Sequence, residues 1–210
     1  MDLPDTLAGR LYLLAHRPGS HRLTRRSDLG VMLRAAALTD LLQQGLLVDQ
    51  GGHPRPGRPA PARLDPLLAD TLDRITAAPR LRSWRHWTAA DPTGALRTVR
   101  GRLVEQGLLD LTEHRVLGLF PTLRPQPRDP RTHERLTAAI EQALTDPLPR
   151  VAPWQAALVS LAAAGDLRTA LSGPQRRAHR ERLAELTALT GAPAPALRHV
   201  VRSRRAARSG

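Results

Sequence analysis

Two arginines spaced three residues apart are the clearest candidates for chemistry in this chain. Arg97 and Arg100 stand in a stretch that reads Leu-Arg-Thr-Val-Arg-Gly-Arg-Leu from residue 96 and ends at Gly107. The stretch predicts a helix, and residues three apart project from neighbouring turns of the same face. Because the planar guanidinium fork matches the geometry of a phosphate, the pair predicts an anionic ligand. The spacing leaves open whether that ligand is a lipid headgroup or a nucleic acid.

Further arginines near the start of the chain are candidates for the same site. Arg34 is a lone charge in an otherwise apolar helix expected from about Asp28 to Gln44, so it must be paired or reach the surface. A surface pocket and a salt bridge, to Asp40 or to an acid on another helix, both satisfy that requirement. Arg25 and Arg26 precede this helix, whose free N–H groups favour an anion, although a solvated basic loop is the alternative. The net charge of +13 adds a field that attracts polyanions or anionic membranes.

The residue types that are missing exclude several kinds of catalysis. All 32 basic residues are arginines, and the chain has neither lysine nor cysteine. A Walker-type phosphate loop, a Schiff-base lysine and a thiolate metal site are therefore ruled out. The eight histidines are scattered without the spacing of metal ligands. We expect a protein that is not an enzyme and that uses no metal and no cofactor.

The composition predicts a helical fold. With 41% hydrophobic but only 2% aromatic residues, Leu, Ala and Val must fill the core, which favours packed helices. We expect one mainly α globular domain over residues 1–200, built around a central helix bundle with a small β-hairpin at 109–120. Residues 201–210 are expected to form a frayed basic tail, and 51–62 a mobile loop.

One local pattern occurs twice. The stretch Leu41–Asp49 resembles Leu103–Leu111, since both read as a helix, a glycine and the start of a strand. This order is common wherever a helix ends at a glycine. It also occurs in winged-helix DNA-binding domains, in which a hairpin follows the recognition helix. A winged-helix-like DNA-binding regulator is therefore the alternative function, although nucleic acid is the less favoured partner.

The chain contains no run of the roughly 18 to 20 apolar residues that a membrane span requires. Its acidic start, Met1–Asp5, also lacks the basic and apolar regions of a signal peptide. We expect a cytoplasmic protein that contacts a bilayer only from outside.

Five stretches, taken in order, resemble the Golgi phosphoprotein 3-like family, including its bacterial branch. The similarity extends over roughly residues 3–200, and five weak motifs in series are more specific than any one of them. The matching stretches are Leu11–Ala15, Leu33–Leu42 with Gly45–Leu47, Leu64–Leu72, Leu96–Leu109 and Leu117–Thr122.

This resemblance implies a function and a site. The family fold is one mainly helical domain with a projecting β-hairpin, and eukaryotic members bind phosphatidylinositol 4-phosphate in a basic pocket at the Golgi and recruit glycosyltransferases. The resemblance places the pocket arginines at Arg34, Arg97 and Arg100. The family's pocket tryptophan falls near Arg25, so this chain would need another aromatic residue to form that wall.

Two apolar groups could complete the membrane contact. Trp84 and Trp87 are either core residues or anchors at an interface. Leu117, Leu119 and Phe120 form a hairpin tip that either packs on the body or enters lipid. We therefore expect a peripheral protein on the inner face of a membrane, binding anionic phospholipid headgroups, with protein partners or a homo-oligomer as the second attachment.

Overall fold

The protein is mainly helical, as its composition predicts. The computed structural model describes residues 3–17, 23–24, 26–116 and 120–210. The described residues form ten α-helices, a 3-10 turn at Leu148–Arg150 and four β-strands. In chain order these are α1 (Leu7–Leu14), α2 (Arg26–Gln43), β1 (Leu47–Gln50), β2 (His53–Pro56), α3 (Pro66–Thr76), α4 (Trp84–Ala89), α5 (Pro92–Glu105), β3 (Leu109–Val116), β4 (Phe120–Pro127), α6 (Arg131–Thr145), α7 (Pro153–Ala164), α8 (Gly173–Ala178), α9 (Arg180–Thr190) and α10 (Pro193–Ser209).

Helix α2 is the centre of the bundle. Its apolar side chains between Leu29 and Leu41 are fully buried, because α1, α3, α4, α5, α7 and α10 pack around it. A helix that is apolar on all sides is stable only inside such a bundle. Helix α7 is similar, with eight of its residues buried. Both helices contribute to a single core made mainly of leucine and alanine. The predicted fold class is confirmed.

The helix starts follow from local sequence. Asp65 accepts a hydrogen bond from the backbone N–H of Leu67 at 2.9 Å, and Pro66 occupies the first turn of α3. Asp91 does the same for Gly94 at 2.9 Å ahead of Pro92. A carboxylate that accepts free N–H groups, followed by a proline that needs no N–H partner, is a favoured way to begin a helix.

The repeated helix-glycine-strand pattern is present in the structure. Gly45 ends α2 with φ +68° and Gly107 ends α5 with φ +66°. In both cases the residue after the glycine donates its N–H to the carbonyl five residues earlier, Leu46 to Leu41 at 2.9 Å and Leu108 to Leu103 at 2.8 Å. This is the bonding of a Schellman C-cap, which requires the left-handed conformation that glycine adopts most readily.

Each of the two C-caps leads into an antiparallel hairpin. Strands β1 and β2 pair from Leu47 with Pro56 to Gln50 with His53, so part of the expected mobile loop over 51–62 is in fact a strand. Strands β3 and β4 pair from Leu109 with Pro127 to Val116 with Phe120, a longer hairpin than the one expected at 109–120. Strand β4 contains prolines at positions 121, 125 and 127. They are accommodated because each strand of a two-stranded sheet has an unpaired edge, where a missing N–H loses no hydrogen bond.

The C-terminal segment also differs from expectation. Helix α10 runs without interruption to Ser209, so residues 201–209 are helical rather than frayed. Arg204 and Arg208 lie 3.5 Å and 3.2 Å from carboxylate oxygens of Asp28, which is fully buried at the start of α2. Arg205 pairs with Asp166 at 2.8 Å. These ion pairs hold the basic end of the chain against the bundle.

Among the described residues, no helix has both the length and the apolar character that crossing a bilayer requires.

Candidate anion-binding site

Helix α5 presents Arg97 and Arg100 to solvent. Its buried stripe consists of Ala95, Val99 and Leu103, spaced four residues apart along one face. Arg97 and Arg100 lie away from that stripe and are exposed. Because 3.6 residues make one turn, two side chains three apart stand on adjacent turns, with Cβ atoms about 5 to 6 Å apart. Both guanidinium groups can therefore reach one phosphate.

A close helix contact fixes α5 on the bundle. A Cβ atom on Gly30 of α2 would lie only 2.2 Å from the carbonyl oxygen of Pro92, the first residue of α5. The two backbones can approach this closely only because Gly30 has no side chain. The position of the arginine pair relative to the core is thus set by a contact between main chains.

The arginine pair has no protein partner in the part of the chain that the structure describes. Neither Arg97 nor Arg100 takes part in a hydrogen bond or an ion pair with those residues. Arg102, on the same helix, instead lies 3.4 Å from Glu105. Guanidinium groups without a carboxylate partner keep all five N–H donors available for an external anion. Arg97 and Arg100 are thus the predicted site residues whose donors are not used within the described part of the chain.

Arg34 lies elsewhere, inside the protein. It is 1% exposed, and its Nε donates to the carbonyl oxygen of Ala90 at 3.1 Å. Its Nη1 donates to Asp70 Oδ2 at 2.7 Å and to Thr71 Oγ1 at 2.8 Å. Its Nη2 donates to the carbonyl oxygen of Asp91 at 3.2 Å. The expected surface pocket is therefore not formed by Arg34, since nearly all of its donors are used internally. The alternative interpretation, a salt bridge to an acid on another helix, describes what the structure shows.

This internal network continues to the surface through Arg74. The Nε of Arg74 donates to Asp70 Oδ1 at 2.7 Å, and its Nη2 donates to Asp91 Oδ2 at 3.2 Å. Partial burial acts to raise the pKa of Asp70, but the hydrogen bonds from Arg34 and Arg74 outweigh it and hold that pKa below its ordinary value. The Asp70 carboxylate therefore stays ionised and ties α3 to α2, and Arg74 links α3 to Asp91 at the start of α5.

The remaining predicted site residues are placed as follows. Arg25, Leu117 and Leu119 lie outside the described residues, and of Phe120 only the backbone is described, at the start of β4. Trp84 and Trp87 are core residues, 3% and 8% exposed. Trp84 also donates its indole N–H to Asp49 Oδ1 at 2.8 Å. Neither tryptophan is available as an exposed aromatic wall.

The two helix-glycine-strand units that suggested a winged helix differ in how exposed their helices are. In the first unit the helix would be α2, which is buried on nearly every side and so has no face to place in a DNA groove. Only the second unit, α5 with the β3–β4 hairpin, has an exposed helix face.

Within the described residues, no three histidine, aspartate or glutamate side chains are grouped as metal ligands.

The sequence of this chain matches the profile of one protein family over nearly its whole length. The match covers residues 7–204, and the family is Golgi phosphoprotein 3 (GPP34). The chain therefore belongs to the Golgi phosphoprotein 3 family. A comparison with curated proteins finds no significant match.

Proposed function

We propose that this member of the Golgi phosphoprotein 3 family binds anionic phospholipid headgroups, of the phosphatidylinositol 4-phosphate type, at a membrane surface. The observation that carries the proposal is the exposed pair Arg97 and Arg100, which has no partner among the described residues. Membership of the family supports the proposal, because a headgroup site is what the resemblance to this family implies.

The chemistry of the pair suits a phosphate monoester. Each guanidinium group offers two parallel N–H donors to phosphate oxygens, so Arg97 and Arg100 together hold a phosphate from two sides. Arg34 does not take part directly. Its role in this proposal is to tie α2 and α3 to Ala90 and Asp91, immediately before α5, so that the helix carrying the pair begins at a fixed place.

The expected attachment is reversible. A basic residue close to an anionic membrane contributes about 1 kcal/mol, and the effect falls off within a Debye length. Two arginines are too few for stable residence. Arg25, ahead of α2, and the hairpin residues Leu117, Leu119 and Phe120 are proposed as the additional contacts, together with protein partners or self-association. We propose that attachment occurs at the cytoplasmic face of a membrane.

Co-sedimentation with liposomes tests this function. Vesicles of phosphatidylcholine with and without phosphatidylinositol 4-phosphate or phosphatidylglycerol are mixed with the protein at two salt concentrations. We expect Arg97→Ala combined with Arg100→Ala to lower the bound fraction on anionic vesicles strongly. Arg177→Ala combined with Arg180→Ala is the matched control, since these arginines are also three apart and exposed. Equal binding of both double variants to the same vesicles would remove the proposed site.

The DNA-binding alternative is tested with the same proteins. A gel shift with mixed duplexes at moderate salt should show no retention of the wild-type protein under conditions where it binds vesicles. Sequence-dependent retention that is lost in the Arg97 and Arg100 double variant would instead favour the exposed face of α5 as a recognition helix.

A further inference from the structure

A second basic cleft lies away from α5. It is an open groove of about 570 Å³ between the turn that joins β1 and β2, the start of α4 and the first half of α10. Small-molecule sites in proteins have volumes of roughly 300 to 1,000 Å³, so a ligand the size of a sugar or a nucleoside fits. The lining contains three arginines, Arg85 from α4 and Arg198 and Arg202 from α10, together with His199 from α10.

The charge of the cleft is unbalanced. Its lining contains three arginines and, among the described residues, no carboxylate. Arg85, Arg198 and Arg202 are exposed, and none of them forms an ion pair within the described part of the chain. Three positive charges around one concave volume attract an anion more strongly than scattered surface charges do, because their fields add there.

The arginines converge because two helices face each other across the cleft. Arg198 and Arg202 are four residues apart, so they stand on the same face of α10. Arg85 reaches across from α4, and its Nη1 lies 3.5 Å from His199 Nε2. That contact is long and solvent-exposed, so it is weak and an anion can replace it.

Helix α10 divides its arginines between two roles. Near its end, Arg204, Arg205 and Arg208 are paired with the carboxylates of Asp28 and Asp166. Those ion pairs anchor the helix on the bundle. Arg198 and Arg202, one to two turns earlier, stand on the same anchored helix without a carboxylate partner among the described residues. The helix that carries Arg198 and Arg202 is therefore anchored, while their donors remain available.

The floor of the cleft is buried in the core, and Pro195 supplies exposed apolar surface at its side. Trp84 and Ala196 are 3% and 6% exposed, and the Trp84 indole is held by its 2.8 Å hydrogen bond to Asp49. A ligand with a phosphate at one end and a carbon skeleton at the other matches this arrangement, since the guanidinium groups hold the phosphate and the skeleton covers apolar atoms.

We propose that this cleft binds an organic phosphate carrying at least two negative charges, at a site independent of Arg97 and Arg100. The phosphate can belong to a soluble metabolite or to a lipid headgroup, and both present the same group to Arg85, Arg198 and Arg202. The inference does not depend on the proposed function, because it rests on different helices.

Isothermal titration of the full chain tests the proposal. The probes are inorganic pyrophosphate, glucose 6-phosphate and ADP, with glucose and adenosine as uncharged controls. We expect at least one phosphate to bind in a 1:1 ratio and the uncharged controls not to bind. Alanine at positions 85, 198 and 202 together should weaken binding by about tenfold or more, since each removed arginine loses a charge-assisted hydrogen bond.

A nearby triple variant shows whether the cleft itself is responsible. Arg55, Arg80 and Arg82 line a neighbouring cavity of about 210 Å³ that has the same number of arginines. Alanine at these three positions removes the same charge from nearby surface and should change affinity less than twofold. Equal weakening in both triple variants, or no phosphate binding at millimolar concentrations, overturns the proposal. Lysine at 85, 198 and 202 serves as a second variant, which keeps the charge but loses the fork and should also bind more weakly.

Two further arms identify the source of the phosphate and keep the two sites apart. The Arg97 and Arg100 double variant should titrate with the soluble phosphate as the wild-type protein does. If it loses this binding, the sites are not independent and the inference fails.

Displacement of the soluble phosphate by phosphoinositide vesicles, but not by phosphatidylcholine vesicles, assigns the cleft to a headgroup. Absence of displacement assigns it to a soluble metabolite.

Discussion

Arg34 and Asp70 are joined by a 2.7 Å hydrogen bond that ties the central helix α2 to α3. The two side chains differ in environment, because that of Arg34 is 2% exposed and that of Asp70 is 39% exposed. The pair thus connects the core to the surface, where Arg74 shares the same carboxylate. A buried arginine with these partners acts as a structural link between helices, and its removal leaves polar groups unsatisfied.

Replacing Arg34 with methionine should destabilise the protein without altering its surface charge pattern at α5. We expect the free energy of unfolding to fall by about 2 to 3 kcal/mol, at the lower end for a buried pair because the remaining Asp70 carboxylate reaches solvent. Urea denaturation followed by circular dichroism measures this. Arg74→Met removes an exposed partner of the same carboxylate and should cost less than about 1 kcal/mol. Similar losses in the two variants would contradict the structural role assigned to Arg34.

Asp40 should make stability depend on pH. Burial raises the pKa of this carboxyl to about 7, against the opposing effect of the Leu7 N–H, which donates to Asp40 Oδ2 at 2.9 Å. Since its folded-state pKa lies above the ordinary aspartate value, the folded protein holds a proton that the unfolded chain has lost. The stabilising contribution is complete below about pH 4 and is lost as the pH rises to about 7.

The measurement for Asp40 is a comparison of wild type with Asp40→Asn. Asparagine retains an oxygen that accepts the Leu7 N–H but does not titrate. The stability of wild type relative to this variant should therefore fall between pH 4 and pH 7 with a slope of up to about 1.4 kcal/mol per pH unit. Unfolding curves at several pH values give the difference directly. A difference that is constant over this range would show that Asp40 is ionised throughout.

The end of α10 should contribute to stability. Arg204→Ala combined with Arg208→Ala removes two partners of the fully buried Asp28 carboxylate. We expect a loss of about 1 to 3 kcal/mol, the range for removing hydrogen-bond partners of a buried polar group. Chemical denaturation measures this loss. Arg198→Ala with Arg202→Ala deletes the same charge from exposed positions of the same helix and should be nearly neutral. If the first double variant were equally neutral, the end of the chain would behave as the frayed tail that its sequence suggests.

Two glycines should respond to alanine in opposite directions. Gly30→Ala places a Cβ 2.2 Å from the Pro92 carbonyl oxygen, so α5 must move away from α2. Overpacking of this kind costs about 1 to 3 kcal/mol and should also weaken vesicle binding by displacing Arg97 and Arg100.

Gly101→Ala is the matched case on α5. A Cβ there meets nothing within 4 Å, so the better helix propensity of alanine should stabilise the protein by about 0.5 to 1 kcal/mol and leave binding unchanged. Thermal unfolding and the vesicle assay check both variants together. If both alanine variants were less stable than wild type, the close contact between Gly30 and Pro92 would not explain the effect of Gly30→Ala.

Local features of the fold were predictable from the sequence because they depend on neighbouring residues. Asp65 before Pro66 predicts the start of α3, and Gly45 and Gly107 predict the ends of α2 and α5, since the required backbone conformations are set within one turn. The exposed pair on α5 was predictable for the same reason, because three-residue spacing defines a helix face wherever the helix lies.

The partners of charged side chains were decided only by the tertiary structure. The sequence predicts that Arg34 must be paired or exposed, but its bonds to Asp70 and Ala90 join positions 36 and 56 residues away. The arginines at the end of α10 pair with Asp28, up to 180 residues away, and the cleft joins Arg85 to a helix 114 residues later. Local spacing carries no information about such distances. Whether an arginine binds a carboxylate or remains available for a ligand depends on which helices pack together, and burial in the assembled core settles that choice.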